Sequence, residues 1–163
     1  MGNYKGEDRL EKHYTPDHLN FEMLEMLQTY HKEPITEFLE NSAGSGRLID
    51  FLKKEYPSVP TIAFDIHNET HRPDITECDY LKNKKIGYKS GRVAFINPPF
   101  QNGLKFVYKA LEECDYCVSI LSVNSFLNID YNKYDVDKIY IYRKVDFDSC
   151  IVSICIIGIK KKI

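Results

Sequence analysis

A chain of 163 residues has the size of one domain. At 43% hydrophobic and 28% charged, with 8 Gly and 7 Pro, it is not a disordered, collagen-like or low-complexity protein. Its 22 Lys and Arg against 24 Asp and Glu leave a net charge of −2, so the molecule as a whole has no electrostatic hold on nucleic acid, and any such contact must be local.

In chain order, Thr15-Pro16-Asp17 opens the first segment, and Leu19, Phe21, Met23, Leu24 and Leu27 follow at spacings mostly of three and four. That pattern predicts an amphipathic helix with Thr15 as N-cap and Pro16 in the first helical position. Ile35 to Glu40 reads as a strand, Asn41-Ser-Ala-Gly-Ser-Gly46 as a glycine turn, and Leu48, Ile49, Phe51 and Leu52 as the next helix. Thr61 to Phe64 and Val93 to Ile96 are short apolar runs that hand over to Asp65 and Asn97, and both read as buried strands. Leu104 to Leu111 predicts a helix, and Tyr116 to Leu121, Lys138 to Tyr142 and Ile151 to Ile159 predict three further strands. The run Cys150 to Ile159 is about half the length that crosses a bilayer.

Alternating strands and helices predict an α/β domain spanning 1–163 with a mainly parallel sheet. The link from Arg143 to Cys150 is too short for a crossover, so the final pair should form a hairpin with one antiparallel strand near the sheet edge. Five cysteines with no secretory signal ahead of them fit a reducing, cytoplasmic setting. Cys114-Asp-Tyr-Cys117 has no matching second pair, so the thiols are expected to be structural and no metal is expected. Lys82, Lys84, Lys85, Lys89 and Arg92 follow one another without an acidic residue between them, the best local candidate for phosphate contact.

In an open α/β sheet, ligands bind beyond the carboxyl ends of the strands, and three of these ends carry unusual residues. Glu40 precedes the turn containing Gly44 and Gly46. The turn lacks the third glycine of a dinucleotide fingerprint, Ile49 standing there, and the Gly-Lys-Ser/Thr of a phosphate loop. An acid beside it repels pyrophosphate and suits a ligand carrying an ammonium or sulfonium charge. Asp65 can accept hydrogen bonds from both hydroxyls of a ribose, and serves equally as a helix N-cap. Asp79 beside Tyr80 can bind an adenine amino group while the ring covers its face, or can simply form a surface turn with a buried Tyr.

The strongest signal is Asn97-Pro98-Pro99-Phe100 directly after a buried strand. Two consecutive prolines fix two φ angles and remove two donors, leaving a stiff loop. The Asn97 side-chain oxygen and the Pro98 carbonyl can both accept from one NH₂ group, while Phe100 offers a ring for a planar base or amide. Two fixed acceptors favour a pyramidal nitrogen and stabilise the positive charge that develops as it attacks an electrophilic methyl.

This pattern resembles the class I S-adenosylmethionine-dependent methyltransferases, specifically those that modify adenine N6 in DNA. Phe38-Leu-Glu-Asn-Ser-Ala-Gly-Ser-Gly46 is similar to the family's cofactor motif and Asn97-Pro-Pro-Phe100 to its catalytic (Asn/Asp)-Pro-Pro-(Tyr/Phe) motif. His13-Tyr14-Thr15-Pro16 resembles the N-terminal cofactor motif of one subgroup. The resemblance implies a Rossmann-like, seven-stranded sheet in the order 3-2-1-4-5-7-6. It implies S-adenosylmethionine held by Tyr14, Thr15 and Pro16, by Glu40, Ser42, Ala43, Gly44 and Gly46, by Asp65 and Ile66, by Asp79 and Tyr80, and by Asn97. It places Glu40 near the methionine amino group, Asp65 on the ribose and Asp79 at the adenine amino group. Asn97 and Pro98 would grip the target nitrogen, with Pro99 stiffening the loop and Phe100 stacking on a flipped base. Ser122 to Leu127 looks like the wall segment after the fifth strand and receives no role.

Only about 25 residues follow Lys138, and the expected strands use them all, leaving no spare element for reading bases in a groove. Specificity is then short or loose, or comes from a second copy or a specificity partner, or the acceptor is not duplex DNA. RNA adenine, a protein glutamine amide, and a non-catalytic cofactor-binding subunit are the competing readings. The size suits a compact viral or mobile-element enzyme.

Overall fold

In a computed structural model the described residues are 16–82, 85–147 and 150–163. Tyr14, Thr15 and Lys84 lie outside them. The elements run α1 (Asp17–Tyr30), β1 (Glu37–Glu40), α2 (Arg47–Glu55), β2 (Thr61–Asp65), β3 (Thr76–Glu77), β4 (Arg92–Ile96), α3 (Gly103–Glu113), β5 (Tyr116–Ser122), α4 (Val123–Leu127), β6 (Tyr134–Phe147) and β7 (Cys150–Lys161). Pro16 occupies the N-cap, one place before its expected position, and Asp17 supplies the acid of the first turn.

One seven-stranded sheet has the order β3-β2-β1-β4-β5-β7-β6, as expected. Neighbours from β3 through β5 are parallel, and β7 is antiparallel to both β5 and β6. Because successive residues of a strand face opposite sides, β4 divides its apolar side chains between two cores. Val93 and Phe95 join Leu19, Met23, Met26 and Leu27 of α1 and Leu48 and Leu52 of α2. Ala94 and Ile96 join Val107, Ala110 and Leu111 of α3 on the other face. All five residues of β4 are buried, which explains a continuous apolar run in place of alternation. Cys114, Cys117 and Cys155 belong to the second core. Burial pushes their thiols up, that of Cys155 to about 12, which keeps them protonated and unreactive. Among the described residues no helix is long and apolar enough to cross a membrane.

Two expectations change. β3 is only Thr76 and Glu77, both exposed, so it carries no apolar signal. The last two strands are longer than their apolar centres, because β6 extends over Tyr134–Phe147 and β7 over Cys150–Lys161. β5 stops where Ser122 pairs with Ile154, but β6 and β7 stay paired as far as Phe147 and Cys150. Four residues of β7, 150–153, therefore run past the carboxyl end of β5, about 13 Å at the strand rise. The described residues after Lys138 are nearly all in these two strands, as expected, but their paired ends overhang the carboxyl edge of β5.

Candidate active site

The site forms where the strand order reverses. β1 has β2 on one side and β4 on the other, so their connections leave on opposite faces and open a crevice at the carboxyl edge. Glu40 and Asp65 are the last residues of β1 and β2, and Asn97 directly follows β4, the three strands being neighbours. At the usual strand spacing they span about 10 Å.

Glu40 is fully buried. Its Oε1 accepts from the Ser42 amide at 2.9 Å and the Ser42 hydroxyl at 3.4 Å, while Oε2 has no partner among the described residues. Burial, with a smaller contribution from nearby Asp65, pushes its carboxyl up to about 8. A buried acid with one orphaned oxygen is the acceptor that an ammonium group requires. Asp65 closes β2 with Oδ2 accepting from the Gly44 amide at 2.8 Å and Oδ1 from the His67 amide at 2.9 Å. These bonds fix the carboxylate while each oxygen keeps a second lone pair for a hydroxyl. Ile66 follows at 39% exposure and offers apolar surface beside it.

The glycine turn is consumed internally. The Ser42 amide binds Glu40, that of Ala43 the Phe64 carbonyl at 2.9 Å, that of Gly44 Asp65, and that of Gly46 the Ala43 carbonyl at 2.9 Å. Amides committed in this way do not form a phosphate cradle, in line with the missing fingerprint. Gly46 departs from the expected role. Its φ is +87°, and what approaches it closely is the Arg72 guanidinium rather than a ligand. Arg72 bridges Asp50 and Asp74 at 2.8 Å each and so ties the start of α2 to the loop before β3. Gly46→Ala should lower stability by about 1–3 kcal/mol, measured by urea unfolding, because it combines a left-handed φ with a clash.

Ser42 Oγ donates to the Asn97 carbonyl at 3.2 Å, coupling the turn to the Asn97–Phe100 loop, a link no sequence spacing announces. Asn97 is half-buried, Pro98 buried, and Pro99 and Phe100 half-buried, with all peptides trans. Pro99 is extended (φ −53°, ψ 133°) and starts a single turn of 3₁₀ helix over Phe100–Asn102 that leads into α3. Asn97 Oδ1 is buried, as is Glu40 Oε2. Phe100 packs one side on the first core, and its other side lines a cleft of about 520 Å³ shared with Gln101, Asn102, Lys105, Ser122, Asn124, Ser125 and Asn128. The segment after β5 therefore walls the site.

Two expectations fail on geometry. Tyr80 does not stand over an open face. Its ring is buried between Phe64 and Phe106, and its hydroxyl donates to Glu113 Oε2 at 2.6 Å. Asp79 stays at the rim, accepting from the Lys82 amide at 3.3 Å and facing the Lys82 ammonium at 3.6 Å. Of the basic stretch, Lys82 stays beside Asp79 and Lys84 is outside the described residues, whereas Lys85, Lys89 and Arg92 lie away from the site. Arg92 starts β4, at the opposite end of the sheet, and is 6% exposed with its Nε donating to Glu37 at 2.6 Å. Lys89 joins the same Glu37, and Lys85 pairs with Glu112 at the far end of α3. Replacing Lys85 and Lys89 together by alanine should leave nucleic-acid affinity within about twofold in an anisotropy titration, because surface pairs of this kind contribute little and face away from the crevice.

No protein-family model matches the sequence, and no curated protein matches it. Solved structures do match. A Pyrococcus horikoshii protein described as an RNA methyltransferase superposes with TM-score 0.72 at 15% identity, over 100% of this chain and 93% of that one. The methyltransferase subunit of a type I restriction-modification system from Streptococcus thermophilus gives 0.74 at 11% identity, over 96% of this chain and 46% of that one. A Streptococcus mutans protein described as a methyltransferase, crystallised with S-adenosylhomocysteine (SAH), gives 0.54 at 15% identity, over 91% and 99%. With the strand order above, these likenesses place the chain in the class I methyltransferase fold.

Proposed function

We propose that the protein transfers the methyl group of S-adenosylmethionine to the N6 amino group of adenine in DNA. The observation that carries this reading is the alignment of Glu40, Asp65 and Asn97 on three neighbouring strand ends at the switch point, with the orphaned Glu40 Oε2 awaiting a cation.

S-adenosylmethionine supplies, when bound, a methyl carbon made electrophilic by its sulfonium. Glu40 would hold the methionine ammonium, Asp65 the ribose hydroxyls, and Ile66 the edge of the adenine. Asp79 is near enough to the rim to meet the adenine amino group, whereas Tyr80 is assigned to the core. Asn97 and Pro98 present two oxygens to the hydrogens of the target amine and stabilise the positive charge that grows on nitrogen. Pro98 and Pro99 pre-set the loop, so little reorganisation is needed as the charge develops. Phe100 stacks on the base. The amine loses its proton after transfer to solvent through the open cleft.

RNA adenine is the second reading. It is favoured by the full-length likeness to a protein described as an RNA methyltransferase. Incubation with methyl-labelled cofactor and DNA, RNA or protein acceptors in parallel tests both. N6-methyladenine in hydrolysed DNA is the expected product. Label in N6-methyladenosine alone moves the assignment to RNA, and label in neither nucleic acid overturns it.

A further inference from the structure

We infer that the acceptor reaches this site as an unpaired strand, and that the cleft between the Asn97–Phe100 loop and α4 reads the bases beside the target. The proposal rests on the adenine reading above and adds the state of the acceptor. Gln101, Asn102, Asn124 and Asn128 line this cleft with exposed side chains. Primary amides carry a donor and an acceptor side by side, the arrangement that pairs with the edge of a base, adenine above all.

Charge argues the same way. Among the described residues lining the cleft, Lys105 alone is charged. A duplex is held mainly by phosphate neutralisation, and base edges in a groove are reached only after that hold is made. Of the lysines in the basic stretch, Lys85 and Lys89 are paired with acids at the opposite end of the sheet, and Lys82 faces Asp79. An unpaired strand, in contrast, exposes whole base edges and ring faces, which amides and the Phe100 ring can take up with few ionic contacts.

The cleft is also built to keep its shape. Asn128 Nδ2 donates to the Asn124 carbonyl at 2.7 Å, the Ser122 hydroxyl caps α4 through the Ser125 amide at 3.2 Å, and Ser125 Oγ donates to the Phe100 carbonyl at 3.4 Å. The overhanging end of β6 and β7 continues past β5 on this side of the sheet.

The test is anisotropy titration of the full chain, with SAH present, against a short fluorescent adenine-containing oligonucleotide, single-stranded or annealed to its complement, in DNA and RNA versions. The single strand should bind at least tenfold tighter than the duplex. The logarithm of its affinity should fall with the logarithm of salt with a slope of about −0.7, as expected for about one phosphate contact on a single strand. Gln101→Ala with Asn124→Ala, both at exposed positions, should weaken it about tenfold or more while leaving SAH affinity unchanged. The DNA and RNA versions show which sugar the site prefers. Equal or tighter duplex binding, a slope steeper than about −3, or a double variant that binds like the wild type overturns the proposal. Methylation of duplex adenine with no loss in the double variant defeats this inference alone. Strand binding that the variant abolishes, with no methyl transfer to any acceptor, defeats the function proposed above and leaves this inference standing.

Discussion

Asn97→Ala should reduce methyl transfer by at least about 10²–10³-fold while changing S-adenosylmethionine affinity only several-fold. The side chain supplies one of two acceptors aimed at the nitrogen on which charge appears, so its loss is felt in the transition state more than in binding. The fold should not suffer. It is the Asn97 backbone carbonyl, not the side chain, that accepts the Ser42 hydroxyl, and the prolines that follow hold the loop regardless. Asn97→Asp keeps both acceptor positions and should recover part of the rate. Single-turnover kinetics beside calorimetry separates the two effects, and equal losses in both variants would show that the loop acts through shape alone.

The second large effect is in pH. Buried Glu40, with its carboxyl raised to about 8, is protonated near neutrality when no cation faces it, and a bound ammonium draws it into the ionised form. Cofactor binding then releases a proton below pH 8. Affinity should therefore weaken by up to tenfold for each unit from about pH 8 downwards and level off above it. Stability follows the opposite course. The unfolded chain ionises this carboxyl near its ordinary value, so between there and about pH 8 the folded, unliganded protein holds a proton that the unfolded one has lost. This group's contribution to stability is therefore complete at low pH and is lost as pH rises through 8. Glu40→Gln should abolish the pH slope of binding and lower affinity at pH 8.5 at least about tenfold, the range for losing a charge-assisted bond. It should raise the melting temperature of the free protein there by a few degrees. Calorimetry across pH and thermal melts of both forms measure the two halves. A flat binding profile in the wild type would remove Glu40 from the cofactor.

Glu40, Asp65 and Asn97 were legible because each ends a short apolar strand, and a polar residue at such a boundary has few places to go other than the carboxyl edge of the sheet. The strand order followed from the resemblance, and the parallel character from the alternation of elements. For Tyr80 the plainer alternative, a buried Tyr in a surface turn, is the one the structure shows, and local sequence could not decide between the two. What draws its ring inward is Phe64, Phe106 and the Glu113 carboxylate, all distant along the chain. Arg92 and Lys89 looked like a basic patch for the same reason, since their partner Glu37 lies on another strand. Gly46 was assigned to a ligand when its positive φ and Arg72 account for it. The overhang of β6 and β7 was hidden because strand length beyond the apolar centre is set by pairing rather than by pattern.

A crystal structure with S-adenosylmethionine bound tests the account most directly. Its ammonium should lie on Glu40 Oε2, its ribose hydroxyls on Asp65, and its methyl carbon should face the oxygens of Asn97 and Pro98 across the crevice. A cofactor seated away from Glu40, or a methyl directed away from that loop, would contradict it.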